Sequence, residues 1–258
     1  MNRIIARTAV IIAILAILTS ASLSPAFADE REASEIVRKM DQLLRGDTAV
    51  SRSKMTIINP RWTRTLEMRS WGQGEKHFFI HILAPAREKD ITFLKRDNLL
   101  YQYMPSAEMR IRITPSMMLQ PWMGSDFTND DLVKESSVVN DYTHKHLGRE
   151  IIDGRNSYKI ECTPKPNAPV VWGKLLLWID TENNLPLRQE YFDEKDTKIK
   201  YMEFKDIIQA NDRQIPSQWI MVPLNKEGHK TIYKIESIEF NTPIPDHIFT
   251  LRNLEKPR

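Results

Sequence analysis

The residues whose types could do chemistry are few in this sequence, and they are scattered. His144 and His146 flank Lys145, but the zinc-site spacing of two histidines four apart with a glutamate does not occur. The sequence contains no G-x-S-x-G nucleophile elbow and no dinucleotide-binding glycine pattern. With eight glycines in the chain, a phosphate-cradling loop is also not expected. We therefore expect a protein that is not an enzyme and has no cofactor, although a catalytic triad is assembled in space and would not show as a motif.

Three acids close together, Asp126, Asp130 and Asp131, could suggest a calcium site. Their spacing does not match the twelve-residue calcium loop. Helix capping explains two of them, since Thr128 is a suitable N-cap and Asp131 stands three residues later, where a capping box needs an acid. We expect no metal site here.

Cys162 is the only cysteine, so no intramolecular disulfide can form. The thiol is expected to behave as a small buried hydrophobe on a strand.

The N-terminus predicts export. Arg3 and Arg7 precede an apolar run over residues 9–18, and Ala26-Phe27-Ala28 follows as an A-x-A cleavage pattern. This order is typical of a signal peptide over residues 1–28, with an apolar core too short for a permanent membrane span. No cysteine lies near the cleavage site, so we expect an unlipidated, soluble exported protein formed by residues 29–258.

The charge balance argues against nucleic acid as a partner. Residues 1–28 hold two of the 37 basic residues and none of the 34 acidic ones, which leaves 35 basic against 34 acidic residues in the predicted mature chain. A protein that binds nucleic acid or a membrane mainly through charge normally carries a clear basic excess.

Hydrophobic periodicity predicts one helix followed by many strands. Apolar residues from Ala33 to Leu44 recur at steps of three and four, and Gly46 is a natural stop. From about residue 50 the period becomes two, as at Met55 and Ile57, which indicates strands with one covered face. Further strands are predicted over 65–69, 76–83, 91–95, 98–104, 109–113, 157–163, 173–180, 186–193, 198–206, 217–222 and 230–240. Many short strands without alternating helices predict a single domain with an antiparallel sheet that closes at least partly.

Residues 114–134 interrupt the strand rhythm. Methionine, leucine and tryptophan are concentrated between Pro115 and Gly124, and two prolines and a glycine disfavour a long strand. On residue types alone we favour a loop that plugs one end of the sheet. A methionine-rich surface that repacks around an irregular apolar partner is the alternative.

Several runs resemble the periplasmic outer-membrane lipoprotein-sorting family (LolA-like). The similarity extends in order over about residues 35–255. The runs that carry it are 96–106 (RDNLLYQYMPS), 112–118 (RITPSMM), 122–132 (WMGSDFTNDDL), 162–166 (CTPKP), 170–174 (VVWGK) and 245–251 (PDHIFTL).

The resemblance implies a mostly β fold with a few helices, a half-open antiparallel barrel of about eleven strands wrapped around a helical lid. It implies an apolar cavity that shields the acyl chains of lipids or lipoproteins between the inner and outer membrane. An inner-membrane transporter complex of the ABC or RND type would be the donor, and a monomer is expected.

With this resemblance we prefer the cavity to the plug. The apolar residues beside the alternating strands are then expected to line it, and they are Leu66, Met68, Met109, Ile111, Ile113, Met117, Met118, Leu119, Trp122, Met123 and Phe127. Two other functions stay open: a binding subunit of an envelope transporter that carries no cargo, and a hydrolase of envelope lipids.

Overall fold

A computed structural model describes residues 25–97, 99–133 and 137–257. The predicted signal peptide falls almost entirely on residues before 25, outside this part of the chain. Three α-helices are described: α1 Pro25–Arg45, α2 Asn129–Val133 and α3 Leu251–Glu255. Single 3₁₀ turns lie at Pro105–Ala107, Pro115–Met117, Trp122–Gly124 and Asp246–Phe249.

Thirteen antiparallel strands form one sheet. They are β1 Thr48–Ile58, β2 Thr63–Gln73, β3 His77–Ala84, β4 Thr92–Arg96, β5 Leu99–Met104, β6 Met109–Ile113, β7 Tyr142–Ile152, β8 Arg155–Pro164, β9 Lys174–Asp180, β10 Pro186–Phe192, β11 Lys198–Ala210, β12 Arg213–Pro223 and β13 Lys230–Phe240.

The strand order runs β6-β5-β4-β3-β2-β1-β13-β12-β11-β10-β9-β8-β7. The first and last strands of the chain therefore pair at the centre, and β6 and β7 form the two edges. The sheet is not closed into a barrel, in agreement with the half-open form expected. The expectation of about eleven strands is wrong, because the sheet contains thirteen. Short segments such as β4 and β6, of five residues each, form strands of their own.

The concave face of the sheet and α1 share the main core. Alternate residues of the strands point inward, as on β2, where Leu66 and Met68 are fully buried and Glu67 between them is exposed. Helix α1 contributes its predicted apolar face, with Ala33 and Val37 fully buried. Gly46 ends this helix as predicted, with a φ of +61° that favours glycine and a backbone N–H that donates to the carbonyl of Gln42. Cys162 lies fully buried in the same core.

The C-terminal residues cover part of the convex face. Ile248, Phe249 and Leu254 pack on Trp71 and Phe79, which point outward from the sheet. This second core gives strands β2, β3 and β4 apolar cover on both faces.

Strand β7 is an edge that the sequence analysis missed, since it is polar at most positions. Its pairing with β8 shifts register between His146 and Gly148, and Gly148 has a φ of +121°. Ile151, further along this strand, is 71% exposed. Among the described residues, no helix is both long and apolar enough to cross a bilayer.

A buried histidine holds α1 against β7. The Nε2 atom of His144 lies 2.8 Å from the carbonyl oxygen of Val138, and Nδ1 lies 2.9 Å from the Ser34 hydroxyl. A carbonyl can only accept, so Nε2 carries the proton and Nδ1 accepts from Ser34. Burial lowers the pKa of His144 from its ordinary value, and Lys165 lowers it further. At pH 7 the imidazole of His144 is therefore neutral in the folded protein.

We expect the protein to lose stability as the pH falls below about 6.5, the ordinary pKa of histidine. In that range the unfolded chain binds a proton at His144 that the folded protein binds only at lower pH, so acid favours unfolding. The change His144→Gln removes this titration and keeps groups that can hydrogen-bond. The dependence of the unfolding midpoint on pH, between about 7.5 and 5.5, should become shallower.

The matched control is His247→Gln, since His247 is exposed. If the unfolding midpoint of both variants depends on pH as steeply as that of the parent protein, His144 does not couple folding to pH.

Candidate binding cavity

Residues 114–133 lie over the concave face of the sheet, and we call them the crossing segment. They contain two 3₁₀ turns and α2. The predicted capping box is present at the start of α2: the Thr128 N–H donates to the Asp131 carboxylate at 2.7 Å, and the Asp131 N–H donates to the Thr128 hydroxyl at 3.2 Å. These bonds satisfy two backbone donors that a helix start leaves free.

Large apolar side chains anchor the crossing segment to the sheet. Trp122 is 1% exposed, and its ring centroid lies 5.0 Å from that of Phe93 on β4. Met118 and Phe127 are also buried in the main core. The segment is therefore packed as part of the fold.

A buried ion pair fastens α2 to the sheet. Lys200 on β11 contacts the carboxylate of Asp131, and the two side chains are 4% and 5% exposed. The Lys200 ammonium also lies 3.3 Å from the carbonyl oxygen of Asp126. It stands over the rings of Trp172 and Tyr191, 4.9 and 4.8 Å from their centroids, so aromatic faces complete its surroundings.

Two further polar contacts hold the segment. The Thr231 hydroxyl on β13 donates to the Asp126 carboxylate at 2.7 Å. The Arg64 guanidinium on β2 donates to the carbonyl of Met123 and pairs with Glu88 at 3.1 Å. Asp126 and Asp131, two of the three acids singled out in the sequence, thus contact the sheet through hydrogen bonds or an ion pair. Among the described residues, no three His, Cys, Asp or Glu side chains converge as a metal site would require.

Two adjacent cavities of about 150 and 90 Å³ lie between the sheet, the end of α1 and the crossing segment. Leu44, Arg45, Phe127, Asp131 and Trp219 line both of them. The larger cavity is further lined by Phe78, Ile215, Tyr233, Ile235 and Ile238, and the smaller by Met40, Tyr142, Trp172, Tyr191, Met202 and Phe204. The walls are thus mostly aromatic and aliphatic, with charge limited to a few groups.

Two side chains of the smaller cavity have a polar atom without a hydrogen-bond partner among the described residues. They are the Tyr142 hydroxyl and the Trp172 indole nitrogen. Burial raises the pKa of Tyr142, and the negative charge of Asp130 raises it further, so the hydroxyl keeps its proton. Both groups are hydrogen-bond donors in a cavity that apolar side chains line together with Asp41, Arg45, Asp130, Asp131 and Gln189.

A more open groove of about 480 Å³ lies beyond Phe127, between the crossing segment and two turns of the sheet. Leu119 and Phe127 line it from the crossing segment, Lys195 from the β10–β11 turn, and Pro223 and Asn225 from the β12–β13 turn. Phe127 thus separates the groove from the two inner cavities.

The structure distributes the eleven predicted lining residues over several environments. Phe127 lines both cavities and the groove, and Leu119 lines the groove. The buried residues Leu66, Met68, Ile113, Met118 and Trp122 belong to the main core, Met117 and Met123 pack against it, Ile111 is half-buried, and Met109 is exposed. The assignment of these residues to a ligand stays a prediction.

Most aromatic residues of the cavity walls were not predicted from the sequence. Trp219 and Tyr233 are directly paired between β12 and β13, with ring centroids 5.3 Å apart. Both lie in predicted strands. Tyr233 is two residues before Ile235 and Trp219 is four residues after Ile215, so a period-two pattern could have placed each of them on the same face as that isoleucine. Their strands are distant in sequence from the methionine cluster, and only the sheet order brings them beneath it.

Several solved structures are similar to this fold. A DUF1329 family protein from Desulfovibrio piger shares 21% identity, with a TM-score of 0.81 over 88% of this chain and 99% of that chain. A domain described as an outer membrane lipoprotein-sorting protein, from Vibrio parahaemolyticus, shares 20% identity, with a TM-score of 0.78 over 88% and 99%. A LolA superfamily protein from Nitrosomonas europaea shares 22% identity, with a TM-score of 0.73 over 85% and 98%. No curated protein sequence matches this chain.

The open sheet with a segment across its concave face is therefore the fold of LolA-like proteins, and the resemblance predicted from the sequence is confirmed at this level. A family model described as an uncharacterized protein matches residues 74–256, most of the chain. The chain belongs to that family.

We expect Lys200→Met to lower the free energy of unfolding by about 3–5 kcal/mol, because it leaves the buried Asp131 carboxylate unpaired. The double variant Lys200→Met/Asp131→Asn removes both charges and keeps an acceptor for the Thr128 N–H, so it should recover most of the loss. Urea denaturation measures both.

Lys54→Met is the matched control. Lys54 pairs with Glu236 at 2.8 Å, but both side chains are about 40% exposed, so its loss should change the urea midpoint little. A Lys200→Met variant as stable as Lys54→Met would contradict a stabilising role for the buried pair.

Proposed function

We propose that this protein is a periplasmic carrier that binds the acyl chains of a lipid or lipoprotein beneath the crossing segment. The observation that carries the proposal is the pair of aromatic and aliphatic cavities between the sheet and that segment. An acyl chain in water exposes apolar surface at a cost of about 0.8 kcal/mol per methylene, so a carrier must offer covered apolar walls. The LolA-like fold supports this proposal.

The crossing segment acts as a lid in this proposal. Ligand pockets usually measure about 300–1,000 Å³, whereas the two cavities have about 150 and 90 Å³. The described form is then the empty one, in which Phe127 and the neighbouring side chains fill space that a ligand takes. Met117, Met118 and Met123 suit such repacking because methionine is flexible and polarisable.

The two unpartnered donors give the acyl ligand an orientation. An ester or amide carbonyl at the head of the chain can accept from the Tyr142 hydroxyl or the Trp172 indole N–H. The hydrocarbon then extends along Leu44, Phe127 and Trp219, which line both cavities. A buried donor without a partner disfavours the empty state, so this contact would add to the affinity.

We also propose that an inner-membrane transporter complex loads the carrier, and that the carrier works as a soluble monomer and delivers toward the outer membrane. The resemblance to lipoprotein-sorting proteins supports this route. Binding, and not catalysis, is the proposed activity. The Ser34–His144 pair joins α1 to β7, and neither residue lines the cavities described above.

A binding subunit that carries no cargo is the second candidate. The solid packing of Leu66, Met68, Met118 and Trp122 favours it, since side chains occupy much of the interior. The two functions differ in one measurable property, the binding of a hydrocarbon chain.

We expect the parent protein to bind a fluorescent fatty acid, and Ala49→Phe to weaken that binding about tenfold or more, which corresponds to ~1.4 kcal/mol. Ala49 on β1 lines the larger cavity, so a phenyl ring there takes the space of the ligand. Titration monitored by fluorescence measures the affinity, and mass spectrometry of the gently purified protein identifies any natural cargo.

Thr56→Phe is the matched control, because Thr56 lies on the same strand but on its outer face, opposite Thr65. It should bind as the parent protein does. Absence of binding to fatty acid and acylated peptide by the parent protein would reject the carrier and favour the cargo-free subunit.

A further inference from the structure

Three apolar side chains project around the open groove, and we call them the groove rim: Trp62, Leu119 and Leu224. They are 44%, 52% and 50% exposed. We propose that the groove rim docks the protein on an anionic lipid bilayer, so that the groove opens at the membrane surface. Docking on the bilayer goes beyond the proposed carrier function. The further step, in which the groove receives an acyl chain, rests on that proposed function.

The fold brings the three residues to one end of the sheet. Trp62 lies in the β1–β2 turn and Leu224 in the β12–β13 turn, and these turns are neighbours because β1 pairs with β13, with Ile58 opposite Lys230. The turns touch, since a Cβ on Gly228 would lie 3.0 Å from the Pro60 ring.

The crossing segment closes the rim on its other side. Leu119 lines the groove together with Pro223 and Asn225, the two neighbours of Leu224. Arg64 connects the β1–β2 turn with the crossing segment, because its guanidinium lies 5.5 Å from the Trp62 ring centroid and donates to the carbonyl of Met123.

The charges near the rim suit an anionic surface. Arg61, Lys226 and Lys230 lie in or next to the same two turns and are exposed. Within the described parts of the chain none of the three forms an ion pair. The exposed acids nearby are Glu227 in the β12–β13 turn and Glu194 and Asp196 in the β10–β11 turn, of which Asp196 pairs with Lys174. Each cation near an anionic membrane favours binding, and tryptophan prefers the interface between headgroups and hydrocarbon.

The position of the rim residues favours a bilayer over a protein partner. Trp62 and Leu224 lie in turns at the end of the sheet and Leu119 lies in the crossing segment, and all three are at least 44% exposed, so they can enter the headgroup layer. Leu119 and Phe127 both line the groove, and Phe127 also lines both inner cavities. A chain that leaves the bilayer at the rim would therefore meet Leu119 and Phe127 in the groove, whose other walls also carry charged side chains such as Lys195, before it reaches the inner cavities.

Vesicle flotation tests the docking. The protein is isolated from periplasmic extracts, its N-terminus is established by mass spectrometry, and it is mixed with vesicles of phosphatidylcholine alone or with phosphatidylglycerol added. We expect flotation with the anionic vesicles, reduced by salt, and a loss of at least about fivefold for Arg61→Gln/Lys226→Gln. Trp62→Ser/Leu224→Ser should reduce flotation at least as much.

The matched control is Leu99→Ser/Ile151→Ser. These residues are 37% and 71% exposed, but they lie at the other end of the strands. This variant should float as the parent protein does, and thermal unfolding verifies that all variants are folded.

The outcomes separate the two proposals. Failure of the parent protein to float with either vesicle, or equal losses in the rim and control variants, overturns docking through the rim; if fatty acid binding is then intact, the carrier function stands. Flotation that depends on the rim, in a protein that binds no fatty acid, supports the docking and rejects the carrier.

Discussion

The pairing of β1 with β13 at the centre of the sheet constrains the rest of the molecule. Because the two ends of the strand order are β6 and β7, and these strands follow each other along the chain, their connection must pass from one edge of an open sheet to the other. The shortest route lies over the concave face. The crossing segment, its apolar contacts and the cavities beneath it all follow from this strand order.

The way in which the segment is fastened combines two kinds of interaction. Trp122 and Met118 give it apolar contacts, which depend little on exact direction. Lys200, Thr231 and Arg64 contact it from three different strands through polar groups, which fix its position. A buried ion pair adds little net stability compared with apolar residues of the same size, because both charges lose water. Its value here is that it defines where α2 lies over cavities that packing alone leaves partly empty.

Local features of this fold could be predicted from the sequence, and features that depend on distant strands could not. The apolar face of α1, the stop at Gly46 and the capping box at Thr128 each depend on residues a few positions apart, and all three are present. Strand β7 was missed because an edge strand needs few apolar residues, and Tyr142–Ile152 shows little alternation in type.

The cavity lining shows the same limit more sharply. Methionine and tryptophan occur both in solid cores and in the walls of cavities. The sequence therefore could not show which of these two places the apolar cluster from Met117 to Met123 occupies. The empty volume is what remains after side chains from α1, the crossing segment and several strands have packed. It borders Trp219 and Tyr233, which are a hundred residues from that cluster along the chain.

The irregularity in β7 has a consequence for behaviour at high concentration. An open sheet offers two rows of unpaired backbone groups, and a straight, apolar edge would invite a second molecule to add its own strand. The register shift at His146 and Gly148, together with the charged side chains of Lys145 and Arg149, interrupts that row in β7. The sheet can thus remain open while polymerisation through its β7 edge is disfavoured.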